Sequence, residues 1–180
     1  RYQAKREIKS FWFPTWLAQP AALVPGSRLI DAPPAKMGMD PILEDVKNRD
    51  LVVMHTSTPS FASDVRVAQM IKDANPKIMI GMVGAKVAVQ PDESMRQGGP
   101  IDFVARNEFD FTIKEIAEGK PLAEVDGITW RNADGEIIAN KERAMIEDMD
   151  SLPFVTEVYK RDLNINDYFI GYLKHPYISI

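Results

Sequence analysis

The stretch "DLVVMHTSTPSFASD", residues 50–64, decides how this chain is read. It opens on an apolar run, "DLVVMHT" (50–56), stops at a polar loop marked by Pro59, and passes into a helical pattern. The run is rich in β-branched and large apolar residues without strict alternation, as expected of a strand buried on both faces. Three other runs share that character: "SRLIDA" (27–32), "KIMIGMVG" (77–84) and "IDFVARN" (101–107). The four starts are 23, 27 and 24 residues apart. Each gap holds one helix and two loops, the length of a parallel crossover.

The segments between the runs read as helices. Asp40-Pro41 is a cap and first turn for "ILEDVKN". Ser60 or Ser63 caps a helix running to about Asp73, with Phe61, Val65, Ala68 and Lys72 on one face. Asn75-Pro76 ends it, because proline disfavours helix in the residue before it. Pro91 starts a short helix, "PDESMRQ", stopped by Gly98 and Gly99. "FDFTIKEIAEG" offers Phe111, Ile113 and Ile116 for packing and ends at Gly119. Beyond residue 121 the pattern changes. "GITWRNADGEIIAN" reads as a β-hairpin turning at Asn132, Ala133, Asp134 and Gly135. "ERAMIEDMDSLPF" is acidic, and "HPYISI" (175–180) reads as a strand. Residues 11–24, "FWFPTWLAQPAALV", read as a short buried helix and its lead-in. A membrane-surface anchor is the alternative, opposed by a polar face that is not basic.

At 180 residues the chain is one domain, or one domain and a piece of another. Hydrophobic residues make up 45% and charged residues 27%, the balance of a soluble globular protein. A net charge of −4 leaves no basic field for nucleic acid. The basic stretch at 1–9 is too short to be more than a solvated helix face or tail. The sequence has no cysteine, which removes disulfides, thiolate nucleophiles and cysteine metal sites and fits a cytosolic protein. No apolar run approaches the ~18 residues that span a bilayer. The start lacks the pattern of a signal peptide.

Strands alternating with helices predict an α/β chain: a Rossmann-like, doubly wound, mainly parallel sheet with a C-terminal hairpin. Such domains usually begin on the central strand, whereas this sequence opens on a helix-like pattern. Either the fold differs from that plan, or a first strand belongs before Arg1. Ligands of such sheets bind at the carboxyl ends of the strands, near the point where strand order reverses. Three loops should converge there. In the first, Thr56, Ser57 and Thr58 supply hydroxyls, Pro59 stiffens the turn, and Ser60 opens the next helix. A helix cap with a turn explains this loop, and so does a cradle for a polar ligand. In the second, Gly84 and Ala85 permit either close approach of a ligand or a tight turn. "GMVGAK" is not the G-x-G-x-x-G fingerprint, and no Walker loop is present. In the third, Arg106, Asn107 and Glu108 are a charged cluster, and Glu108 suits a ligand hydroxyl or the start of a helix equally. His55 reads as a hydrogen-bonded structural residue before a ligand of a metal or of a corrin cobalt. No Ser–His–Asp order and no paired-carboxylate site is present.

"STPSF", "IKDANPKIMIGMVGAK", "QPDES" and "IDFVARNEFDFTIKEI" follow one another in the order and spacing of the cobalamin-binding domain of B12-binding radical SAM proteins, which the run 50–118 resembles. "DGITWRNADGEII" is similar to the hairpin that follows in that family, and "IEDMDSLPF" to its connector toward the catalytic barrel. Residues 1–34 look most similar to the hopanoid-biosynthesis branch. The resemblance implies a cobalamin-binding domain over 1–120, its hairpin extension over 121–150, and over 151–180 a connector with the first strand of a radical SAM barrel. It places Thr56, Ser57, Thr58, Pro59 and Ser60 along the nucleotide tail or corrin edge. Val83, Gly84, Ala85 and Lys86 would lie along the buried tail, and Arg106, Asn107, Glu108 and Phe109 would contact the corrin side chains.

This sequence departs from the family in two places: V-G-A-K stands for the usual G-G-P-H, and N-E-F-D for the usual G-E-x-E. The D-x-H-x-x-G loop that supplies a cobalt-ligating histidine elsewhere is absent. The implied partners are cobalamin, the barrel of the same enzyme and a hopanoid lipid substrate. A [4Fe–4S] cluster with S-adenosylmethionine would belong to that barrel, since a chain without cysteine offers no thiolate for iron. On its own this chain is expected to be non-catalytic. Its expected location is the cytoplasm, with the inner membrane surface as the alternative. A second reading keeps the fold but not the cobalamin, as a substrate-binding or interaction domain. A response-regulator-like domain fares worst, because "VVMHTS" carries no aspartate to phosphorylate.

Overall fold

The computed structural model describes residues 11–171. The basic stretch 1–9 and the expected strand "HPYISI" lie outside the described residues. Three of the four apolar runs are strands: β1 (Leu51–His55), β2 (Met79–Val83) and β3 (Phe103–Ala105). They pair in parallel, β1 with β2 and β2 with β3. The hairpin adds β4 (Ile128–Arg131) and β5 (Ile137–Ala139), both antiparallel, to the same sheet. The order is β1-β2-β3-β4-β5, sequential among the described residues. The loops therefore meet along one sheet edge, and no reversal of strand order is needed to gather them.

The remaining elements are α1 (Thr15–Leu23), α2 (Met39–Val46), α3 (Phe61–Ala74), α4 (Ala85–Val89), α5 (Pro91–Gln97), α6 (Asp110–Ala117) and α7 (Thr156–Asp162). Side chains alternate across a strand, so each strand feeds two cores. Val52, Met54, Ile80, Met82 and Val104 face α2, α3, α4 and α5. Leu51, Val53, Val83, Phe103 and Ala105 face α6 and Leu17 of α1. Helices on both faces make this a Rossmann-like α/β fold. Phe103 lies across the sheet because Gly81 lacks a side chain: a Cβ there would come within 2.1 Å of its ring.

Ser60 occupies the cap position of α3, and α5 matches its expected span. Gly38, not Asp40, precedes α2, and Asp40 sits in its first turn, where a carboxylate suits the helix dipole. Lys72 lies on the inward side of α3 for a polar reason. Its Nζ donates to the Ile78 carbonyl and, at 2.8 Å, to Asp102, which also accepts the Ile80 N–H. No helix among the described residues is long and apolar enough to cross a membrane.

"SRLIDA" is not a strand. A strand needs a backbone neighbour, and here the Leu29 N–H is taken by the Asp162 carboxylate of α7 at 2.8 Å while the Leu29 side chain is buried against α1 and α7. Burial pushes the Asp162 carboxyl up, but bonds from Arg161 and from the Leu29 N–H outweigh it and hold it below the usual range. In this third core Phe13 stacks on Tyr168 at 4.2 Å and packs on Tyr159 at 4.6 Å. Thr15 Oγ1 shares a 2.8 Å hydrogen bond with the Tyr159 hydroxyl. The connector beyond the hairpin thus closes back on α1.

Candidate functional site

A cavity of about 390 Å³ opens at the carboxyl ends of the parallel strands. It is lined by His55, Gly84, Ala85, Ala88, Ala105, Asn107, Phe109 and Trp16. His55 and Ala105 are the last residues of β1 and β3, so strand length alone puts them at the rim. Gly84 links β2 to α4 with φ +118° and ψ 172°, a conformation that side chains rarely adopt. A Cβ on Gly84 would fall 2.2 Å from the Thr56 carbonyl oxygen and 3.2 Å from His55 Nε2. That glycine lets the β1 and β2 ends sit side by side. Ala88, one turn along α4, extends the small-residue floor.

Asn107 stands where the resembled family carries glycine, and its φ is +50°. Asparagine tolerates this left-handed conformation better than most residues, so the loop turns here despite the substitution. Its side-chain amide donates to Glu142 at 3.0 Å. Phe109 precedes α6 and presents an aromatic wall. Behind it, burial and then the neighbouring Glu108 charge push the Asp110 carboxyl up to about 6.

Of the residues singled out from sequence, the structure brings Gly84, Ala85, Asn107 and Phe109 together at the cavity. The others are placed differently. Thr56 is buried, its hydroxyl donating to Asp64 at 2.7 Å and its N–H to the Val83 carbonyl at 2.9 Å. The Ser57 and Ser60 hydroxyls bond to each other at 2.8 Å, and Ser60 Oγ accepts the Ser57 N–H. Those hydroxyls close the turn before α3, although the Ser60 side chain accepts no N–H of the helix itself. Thr58 and Pro59 are exposed beyond it and do not line the cavity. Val83 is buried beneath the floor. Lys86 turns to the opposite side, toward Gln90, Glu93 and the Phe61 ring.

Arg106 departs furthest from its expected contact with corrin side chains. Its buried guanidinium donates to Thr129 Oγ1 at 2.9 Å and to the Asn140 carbonyl at 2.6 Å, and pairs with Glu142. It ties β3 to the hairpin. Glu108 does not line the cavity either. Sequence reasoning missed Trp16, Ala88 and Ala105, and read His55 as a structural residue and not as part of the lining. The strand-end rule could have supplied His55 and Ala105. Nothing local announces Trp16, which is brought over the sheet by the docking of α1. Among the described residues no group of three or more acidic or histidine side chains could hold a metal ion.

No family model matches the chain. An uncharacterised methyltransferase of Pyrococcus horikoshii is 27% identical over 108 residues, which cover 58% of this chain and 23% of that protein. The anaerobic magnesium-protoporphyrin IX monomethyl ester cyclase of Rubrivivax gelatinosus is 24% identical over 160 residues, 81% of this chain and 29% of that protein. This chain thus spans less than a third of the length of these curated relatives. Among solved structures, the cobalamin-dependent S-adenosylmethionine radical enzyme OxsB, with aqua-cobalamin and S-adenosylmethionine bound, superposes with a TM-score of 0.53. The superposition covers 65% of this chain and 17% of OxsB at 15% identity, and it shows a shared fold.

Proposed function

We propose that this chain is the cobalamin-binding module of a B12-dependent radical SAM enzyme. The observation that carries the reading is the strand-end cavity, where Gly84, Ala85, Asn107 and Phe109 meet on a Rossmann-like sheet. That sheet shares its fold with OxsB, a protein solved with aqua-cobalamin bound. The lining fits one part of the group better than another. A cavity of about 390 Å³ lies at the small end of the roughly 300–1,000 Å³ that hold a compact organic ligand. It suits the planar base and sugar of the nucleotide tail, with the corrin outside across the strand ends. His55 and Asn107 bring polar side chains to the lining, and the Asn107 amide already donates to Glu142. When bound, cobalamin supplies the organometallic chemistry, and this chain orients and shields it.

On this reading residues 1–120 bind the cofactor, 121–150 extend the sheet, and 151–180 lead toward a catalytic barrel. The iron–sulfur cluster and S-adenosylmethionine belong to that barrel, because this sequence has no cysteine. We assign the substrate to a hopanoid side chain on the resemblance of residues 1–34 alone; the matched relatives carry other names. A second reading has its own motive. The hydroxyls of Thr56, Ser57 and Ser60, with Lys86 and Arg106, are engaged within the protein, which leaves few polar groups for a phosphate-bearing tail. Under that reading the cavity takes a smaller apolar ligand and no corrin.

The separating experiment is a titration of the full chain with hydroxocobalamin, followed by absorbance and equilibrium dialysis. Saturable uptake of one corrinoid per chain is expected. No uptake at high micromolar corrinoid leaves the second reading.

A further inference from the structure

We propose that Trp16 is the stacking wall of the cavity, its indole lying on the planar base of the cobalamin nucleotide tail. The inference rests on the reading above and adds a residue outside the three strand-end loops.

Trp16 is 70% exposed, an unusual position for the largest aromatic side chain, yet it borders the cavity. The helix beneath it is firmly docked. Ala18 and Pro20 are buried, Leu17 packs on the sheet core, and Thr15 is held by Tyr159. Just before the helix, Phe13 is stacked in the third core. The indole is therefore presented to the cavity by a docked helix. The same cavity is lined by Gly84, Ala85, Ala88 and Ala105, none with a side chain longer than a methyl group, and Phe109 supplies a second ring. Small residues and two aromatic rings in one lining suit a flat ring, because a π-face accepts any planar heterocycle without a hydrogen-bond code. No charged side chain lines the cavity, which favours the neutral base over the phosphate of the same tail.

Cobinamide has the corrin and lacks the nucleotide tail, so it isolates the contact. Wild type, Trp16→Ala and Trp16→Phe are titrated with hydroxocobalamin and with dicyanocobinamide by calorimetry, with thermal melts as the folding control. Stacking of one base on an aromatic ring corresponds to roughly a 5- to 150-fold change in Kd. Trp16→Ala should weaken hydroxocobalamin by about tenfold or more, and Trp16→Phe by less. Cobinamide affinity and the melting temperature should be unchanged in both. Equal weakening of both corrinoids, or no weakening of either, overturns the role given to Trp16 while leaving the cobalamin reading intact. If wild type binds neither corrinoid, the cobalamin reading itself fails and the inference falls with it.

Discussion

Gly84→Ala tests the geometry that makes the cavity. The backbone of Gly84, at φ +118° and ψ 172°, lies where only glycine is comfortable. Forcing alanine into such a region costs about 1–3 kcal/mol. The new Cβ would also stand 2.2 Å from the Thr56 carbonyl oxygen, a backbone atom that cannot rotate away. Moving it disturbs the Thr56 N–H bond to the Val83 carbonyl, 2.9 Å long, and adds an overpacking cost of about 1–3 kcal/mol. Together these come to about 2–6 kcal/mol, and a value near 4 kcal/mol lowers the melting temperature of a domain of this size by roughly 8–16 °C. Gly119→Ala is the control: its φ is +87°, but a Cβ there meets nothing within 4 Å. It should lose about 1 kcal/mol, the backbone term alone. Both variants are followed by thermal and urea unfolding with circular dichroism. A Gly84→Ala variant as stable as Gly119→Ala would show that the β1 and β2 ends do not press on each other as described.

Asn107→Ala should lose about 1 kcal/mol relative to Asn107→Gly in urea unfolding, because both delete the Glu142 bond but only alanine resists φ +50°. Equal stabilities would remove the left-handed loop from the account. Arg106→Met should cost about 2–3 kcal/mol through the lost bonds to Thr129 and Asn140, with corrinoid Kd unchanged in the folded protein. A selective loss of corrinoid binding at full stability would return Arg106 to the cofactor. Asp110 has a folded pKa raised to about 6, above its unfolded value near 4, so its ionised form opposes folding. That opposition is absent below about pH 4, grows to about pH 6 and is constant above. Discounted for partial exposure, Asp110→Asn should gain about 1 kcal/mol on wild type across that window. A stability difference flat from pH 4 to 6 would show that Asp110 is not perturbed.

Much of the sheet is legible in the sequence because parallel strands are apolar on both faces and their crossovers have a narrow length range. β1, β2 and β3 announce themselves this way, and the hairpin by its turn residues Asn132 to Gly135 between two short strands. "SRLIDA" has the same composition and fails, because composition reports burial and not pairing: Leu29 is buried against α1 and α7 without a strand neighbour. Half of the cavity lining is legible for a related reason. Gly84, Ala85, Asn107 and Phe109 follow from the strand-end rule. The direction in which Lys86, Arg106 and Thr56 point depends on which partner claims each polar group. Those partners, Glu93, Asn140 and Asp64, lie 7, 34 and 8 residues away in sequence. Trp16 was invisible because its place depends on α1 docking against β1, α6 and α7, a contact that no local pattern encodes.

The central claim is that the strand-end cavity is a corrinoid site, and blocking the cavity tests it most directly. Ala85 is exposed at the rim, so Ala85→Trp fills the opening without entering the core. Calorimetric titration of wild type and Ala85→Trp with hydroxocobalamin should give a saturable one-to-one isotherm for wild type. The variant should bind at least tenfold more weakly with its melting temperature preserved. Wild-type affinity in the blocked variant would contradict the account.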